Sequence, residues 1–223
     1  MATIEMLAEP VRTALSNPTL LAIWVAIVVL SLGVLLRDLR RVGGRLSGLM
    51  RMVWVLVVTY SGPFGLAMYW WAGRPGIPRD SLLRRGIRST AHCYSGCGAG
   101  EITGLLVAGP LLGLTLGWVA AVTFAFAFLF GYSLTVGPLL QDGVAVATAI
   151  RDALYSETAS IAVMEVVAIA ADLFLAGEAG ILDPLFWGSL VFSLSLGFVA
   201  ATPVNVALVK LGVKEGMSNP AEA

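Results

Sequence analysis

The sequence predicts an all-α fold: a polytopic integral membrane bundle of about six spans, with the third helix packed through glycines. Three observations carry this reading. Hydrophobic residues make up 58% of the 223 residues and charged residues only 13%, where soluble domains carry about 25% charge. The mean hydropathy is +0.87. Apolar runs of about 20 residues, the length a bilayer core of roughly 30 Å demands, recur along the chain. Fourteen Lys and Arg balance fourteen Asp and Glu, so the charge gives no pointer to nucleic acid. Two cysteines are too few for a disulfide framework.

Residues 1–19 form a leader, with Pro18 placed where a helix can begin. The first span, 20–36, has no small-residue cleavage site and reads as a retained helix rather than a signal peptide. The second, 49–71, is kinked at Gly62-Pro63 and closes on an interfacial belt of Tyr69, Trp70 and Trp71. The connector that follows sets Arg74, Arg79, Arg84, Arg85 and Arg88 against Asp80 alone. It reads as a basic loop at the membrane surface, with a phosphate or headgroup clamp as the alternative. The third helix, 90–113, is glycine-rich and either spans or is re-entrant. The fourth span, 114–136, is rich in aromatics and is broken by Pro138. Residues 139–158 hold Asp142, Arg151, Asp152 and Glu157 and read as an amphipathic interfacial segment. The fifth span is 159–177 and the sixth 185–211, with Pro203 and Asn205 inside it. Residues 20–211 thus make one transmembrane domain, and 212–223 a C-terminal tail.

Six crossings put nine Lys and Arg on the side of both termini and five, all from Arg37 to Arg51, on the other. The positive-inside rule then places the termini in the cytoplasm. With a re-entrant third helix the balance becomes eight against six and the N-terminus moves outside.

The chemistry concentrates in "HCYSGCGAGE", residues 92–101, which holds the single histidine and both cysteines. On a helix, residues four apart lie nearly above one another. Cys93, Cys97 and Glu101 therefore make one stripe, and His92, Gly96, Gly100 and Gly104 the next. The glycines form a repeated Gly-x3-Gly pattern that lets another helix pack closely. Two thiols at i and i+4 can converge on one soft or borderline ion such as copper or zinc. His92 points about 100° away from Cys93 on a regular helix; it joins the set only if 90–93 is a non-helical approach. An inert packing role for the thiols stays open. A redox disulfide fits less well, because Cβ vectors at i and i+4 run parallel.

Ionisable groups inside spans are the second signal, since each is costly unless paired or hydrated. Glu165 and Asp172, seven apart on one face, join Glu101 as candidates for an ion or proton path; backbone hydrogen bonds or an arginine from a loop are the alternative. No His-x3-His metal pair, Walker loop, Gly-x-Ser-x-Gly or zinc-ribbon spacing occurs, so no catalytic set emerges and an enzyme is the less favoured class.

Four segments, "AHCYSGCGAGEITG" (91–104), "MEVV" (164–167), "DPLFWGSL" (183–190) and "PVNVALVKLGVKEGM" (203–217), together resemble the bacterial membrane family called domain of unknown function 4396. The resemblance runs over most of 62–217 and implies a multi-helix protein of a bacterial inner membrane with no assigned activity. His92, Cys93, Cys97 and Glu101 match its most specific block. Two departures argue against a second ligand set: "VVAIAAD" replaces an expected acid and amide, and Lys214-Glu215-Gly216 stands where a histidine is expected. The residues then support a membrane protein that binds or transports a soft metal cation, with His92, Cys93, Cys97 and Glu101 as ligands. The lipid bilayer is its first partner, and a homo-oligomer or other membrane subunits are further ones. The alternatives are a non-catalytic accessory subunit that meets its complex through the glycine stripe, and a membrane thiol oxidoreductase.

Overall fold

The computed structural model describes residues 2–77 and 79–217, with side chains from Ala8 onward; Met1 of the predicted leader and residues 218–223 of the predicted tail lie outside it. Eight α-helices follow one another: α1 (Ala2–Leu15), α2 (Pro18–Val42), α3 (Gly48–Ser61), α4 (Pro63–Met68), α5 (Leu82–Leu106), α6 (Leu116–Gln141), α7 (Val146–Leu175) and α8 (Pro184–Lys210). No strand occurs among the described residues.

Local chemistry sets most boundaries. The Asn17 side chain accepts from the N–H groups of Thr19 and Leu20 at 2.9 and 3.3 Å, with Pro18 as the first helical residue of α2. Ser47 and Ser81 cap α3 and α5, and Asp183 caps α8 just ahead of Pro184. Such caps satisfy N–H groups that the first turn leaves unpaired. At Gly62 the backbone turns to φ +54°, which lets Pro63 start a new helix. The kink expected in the second span is therefore a break into α3 and α4, followed by a π-helical turn over Tyr69–Gly73.

Four helices, α2, α6, α7 and α8, are long and apolar enough to cross a membrane; α3 is apolar but shorter. Two expectations change. Pro138 does not end the fourth span, because it lies in the last turn of α6, where only one carbonyl loses its donor; the chain reverses beyond it, at Gly143 (φ +82°). Residues 146–158 are not a separate interfacial segment. They form the first half of one 30-residue helix, α7, with Ala149, Ala153 and Glu157 turned into the bundle.

The centre of the bundle is α5. Every residue from Arg88 to Gly98 is buried, between α6, α7, α8 and α3. Its helix contains small and polar residues because its surroundings are protein on all sides, whereas exposed Leu, Ile, Val and Trp crowd the outer faces of α2, α6, α7 and α8. Buried positions among helices need no lipid-like side chains, and small ones permit close approach.

That approach is made against α6. A Cβ on Gly96 would lie 2.9 Å from Gly131 Cα; on Gly100, 2.6 Å from Ala127 Cα; on Gly104, 2.6 Å from Thr123 Cα. The stripe is thus spent inside the chain and is not a surface for a partner subunit.

Candidate functional site

The polar groups of the core line up along α5 and its neighbours. α6 and α8 run against α5, and α7 runs with it, so each level of α5 meets a defined level of α7. Three acids of α7, Glu157, Glu165 and Asp172, all lie on its inward side, with relative exposures of 4% and 0% for the first two. Fifteen residues at 1.5 Å rise separate the outer two by about 22 Å, most of a bilayer core.

At the middle level sit the thiols. Cys93 Sγ and Cys97 Sγ are 3.8 Å apart, buried and not joined in a disulfide. Glu165 of α7 comes up beside them, its carboxylate facing the Cys97 thiol but outside regular hydrogen-bond geometry. Space for the Cys97 thiol comes from Gly131 on α6, where a Cβ would stand 3.6 Å from Sγ and 2.7 Å from Ile161 Cδ1. One turn further along α5, Glu101 is buried with its Oε2 unpartnered. The unpaired oxygens are conspicuous, because a buried polar group without a partner costs about 1–3 kcal/mol.

At the upper end, Asp172 Oδ1 accepts from Ser189 Oγ of α8 at 2.6 Å. Beside it opens a cavity of about 790 Å³ between the end of α5, the start of α6 and the α7–α8 turn, whose rim carries Glu178 and Asp183. At the lower end, Lys214, past the end of α8, turns inward. Its Nζ donates to Glu157 Oε2 (2.6 Å), Asn205 Oδ1 (2.8 Å) and Ser160 Oγ (3.0 Å).

Of the four residues expected to form one metal set, the structure brings together only the two thiols. His92 does not join them. α5 begins at Leu82, ten residues before it, so His92 is mid-helix and turns to α6, where Nε2 is 3.4 Å from Thr135 Oγ1. Its Nδ1 is buried and unpartnered. Glu101 is two turns from Cys93 along the same axis. Among the described residues, no group of three or more His, Cys, Asp and Glu side chains is placed to hold a metal ion.

Sequence reasoning missed the Lys214 cluster and Glu157. Glu157 was hidden by the assignment of 139–158 to the interface; its eight-residue spacing from Glu165, close to two helical turns, was the available signal. Lys214 carries no local signal, since only the return of the chain after Gly212 (φ +73°) brings it to α7.

The arginines of the connector are largely committed within the chain. Arg74 pairs with both carboxylate oxygens of Asp38 at 2.9 and 3.1 Å. Arg88, 1% exposed, pairs with both oxygens of Asp80 at 3.0 and 2.6 Å and donates to Ala72 O. Burial pushes the Asp80 carboxyl up, but the Arg88 hydrogen bonds, the Ser81 N–H and the Arg88 charge outweigh it and hold it below the usual range.

The described residues form an all-helical bundle in which three of the four membrane-length apolar helices, α6, α7 and α8, pack with α3 around a buried polar one; four helices of that length and apolarity suggest the class of membrane proteins. Within that class, the chain belongs to the family described as domain of unknown function (DUF4396), whose profile matches residues 83–214. The match is narrower than the resemblance read from the sequence. It still contains every residue of the polar column, from Ser89 to Lys214, and omits α1 to α4. No curated protein and no solved structure matches the chain.

Proposed function

We propose that this protein is a multi-pass protein of a bacterial inner membrane that conducts a soft monovalent cation, of the Cu(I) class, along the polar column, with Cys93 and Cys97 as the mid-membrane site. The observation that carries the reading is the 3.8 Å separation of the two thiol sulfurs. Two thiolates on one ion at about 2.3 Å each stand about 3.8 Å apart at a tetrahedral angle and about 4.6 Å apart in the linear arrangement of two-coordinate Cu(I). The pair therefore needs only a small opening by side-chain rotation to hold such an ion; a disulfide needs about 2.05 Å. Thiolates are the soft ligands that favour Cu(I). A structural zinc site takes four ligands, more than the column offers at the thiols.

The cation is cargo in this reading, and the chain's groups keep its charge balanced. Binding M⁺ to both thiols releases two protons and leaves a net negative bis-thiolate. The free oxygens of Glu165, and beyond them Glu101 and Asp172, are placed to take those protons towards the 790 Å³ cavity. Burial among closely packed helices keeps competing water away, which strengthens each of these interactions. A thiol oxidoreductase is less well supported, since its disulfide would have to form between parallel Cβ vectors within one helix. An accessory subunit that meets its complex through the glycine stripe loses its basis, because α6 occupies that stripe.

Copper analysis of the purified protein loaded with Cu(I) tests the proposal. Wild type is expected to hold about one ion per chain and Cys93→Ser/Cys97→Ser none; equal, substoichiometric copper in both ends the idea.

A further inference from the structure

α3 and α4 enter the bundle and leave it by the same end. Asp38, near the end of α2, accepts from Tyr69 Oη at 2.9 Å and from Arg74 Nε and Nη2 at 2.9 and 3.1 Å. α3 starts from the loop just past α2, so both arms open at the level of Asp38. The arms pack on each other. The Trp54 and Tyr69 rings meet edge to face at 5.6 Å, and a Cβ on Gly65 would lie 2.8 Å from Val57 O. The chain reverses at Gly62 (φ +54°), where a Cβ would lie 3.1 Å from Val28 Cγ2 and 3.5 Å from the Trp24 ring. Val28 and Trp24 stand ten and fourteen residues up α2 from Asp38. At 1.5 Å per residue that is about 15 and 21 Å, short of a bilayer core of roughly 30 Å. Backbone at the break stays paired: Gly62 N–H donates to Val58 O at 2.8 Å and Leu66 N–H to Gly62 O at 3.1 Å, as backbone at membrane depth requires.

This return sorts the charges. It brings the arginines of the α2–α3 loop and those of the connector to one end, the lower. Arg151 near the start of α7 and Lys210 at the end of α8 lie there too. Of the fourteen Lys and Arg, Arg12 alone lies at the upper end, and it donates to Leu175 O and Phe174 O of α7. Glu9, Glu178 and Asp183 are exposed at that upper end. At the lower end Arg37, Arg40, Arg41, Arg45 and Arg51 are all exposed, and among the described residues none is in an ion pair. The acid in their midst, Asp38, is taken by Arg74. Trp70 and Trp71 are exposed beside the connector, with Arg84 over the Trp71 ring at 5.2 Å. Six crossings would instead set these five arginines on the face opposite the connector.

We infer that the lower end is the cytoplasmic face, that 48–73 is a re-entrant hairpin, and that the exposed arginines of the α2–α3 loop are a docking surface for anionic phospholipid headgroups. Charge complementarity identifies the partner. Anionic lipids of the cytoplasmic leaflet attract basic segments beside membrane helices, and cytoplasmic loops carry the excess of Lys and Arg. Exposed tryptophans belong at the headgroup level. The Asp172 cavity then opens on the outer side of the membrane. The surface stands whether or not Cys93 and Cys97 bind a cation.

Single added cysteines in the full-length protein, labelled with a membrane-impermeant maleimide in right-side-out and inverted inner-membrane vesicles, test the orientation. Cys93 and Cys97 are buried, so wild type is the blank. Gly44→Cys lies in the α2–α3 loop, Arg79→Cys in the connector and Gly180→Cys in the α7–α8 turn. All three positions are exposed, and nothing lies within 4 Å of a Cβ added at either glycine. Gly44→Cys and Arg79→Cys are expected to label in inverted vesicles, and Gly180→Cys in right-side-out ones. Arg45→Cys or Glu178→Cys replaces a glycine variant that does not fold. Gly44→Cys and Arg79→Cys labelling from opposite sides overturns the hairpin. Both labelling from outside, or Gly180→Cys labelling from their side, overturns the orientation. Spin-labelled phosphatidylglycerol and phosphatidylcholine, in phosphatidylcholine vesicles holding the protein, read the docking. Wild type is expected to immobilise more of the anionic lipid. That excess should disappear at 1 M salt, where screening acts within about 3 Å, and in Arg40→Gln/Arg41→Gln/Arg45→Gln. Equal immobilisation of the two lipids by wild type, or an excess that the triple variant keeps, overturns the headgroup surface.

Discussion

Substituting Gly100 by alanine puts the packing argument to its hardest test. A Cβ at this position would stand 2.4 Å from Phe126 O, 2.6 Å from Ala127 Cα and 2.7 Å from Ala127 N. All three atoms are α6 backbone, so no side chain can rotate away. Ordinary contacts begin near 3.4 Å, and relief therefore requires α5 and α6 to separate by most of an ångström over several turns. Overpacking of a filled core costs about 1–3 kcal/mol, and here the separation also loosens the neighbouring contacts at Gly96 and Gly104. Alanine recovers about 1 kcal/mol of helix propensity over glycine, which leaves a net loss of about 0–2 kcal/mol, or about 1–3 kcal/mol relative to an alanine that meets no clash. The control is Gly33→Ala on α2, where nothing lies within 4 Å of the added atom; it gains the propensity and meets no clash. Reversible unfolding in mixed micelles, followed by circular dichroism, compares the two. Gly100→Ala as stable as Gly33→Ala would show that α5 and α6 are not in backbone contact, and the assignment of the stripe to α6 would fall.

Glu165→Met should raise stability by about 1–3 kcal/mol in the same assay, because it removes two buried oxygens without partners at nearly constant length; a loss of stability would mean the carboxylate has a partner after all. The Asp80–Arg88 pair gives a pH dependence. Because the folded carboxyl lies below its usual range, its stabilisation is complete above about pH 4, the unfolded value, and is lost as pH falls through the folded one. Asp80→Asn should cost on the order of 1–3 kcal/mol at pH 7, the exposed part of Asp80 reducing what unpairing the buried Arg88 would otherwise cost, and should flatten the acid limb of the stability profile below pH 4; an unchanged acid limb would refute the assignment. Cu(I) at a hundredfold excess over its dissociation constant should stabilise wild type by about 2.7 kcal/mol and leave Cys93→Ser/Cys97→Ser unmoved, measured as a shift in the thermal midpoint.

Composition and periodicity by themselves determined the helical membrane class, because a bilayer imposes a length and an apolarity that each span must show locally. The glycine spacing in 96–104 and the thiol pair at 93 and 97 were legible for the same reason: a helix converts sequence spacing directly into a shared face. Tertiary structure decided what each face meets. It turned His92 to Thr135 by starting α5 at Leu82, and it put α6, rather than a partner, against Gly100. It also joined 146–175 into one helix, so that Glu157 lines up with Glu165 and Asp172. The polar character of α5 shows why such things escape a hydropathy argument. A helix surrounded by helices is freed from the bilayer's demand, and its residues answer to neighbours distant in the chain. Lys214 is the extreme case: its partners lie 57, 54 and 9 residues away, and only the fold brings their oxygens around one ammonium.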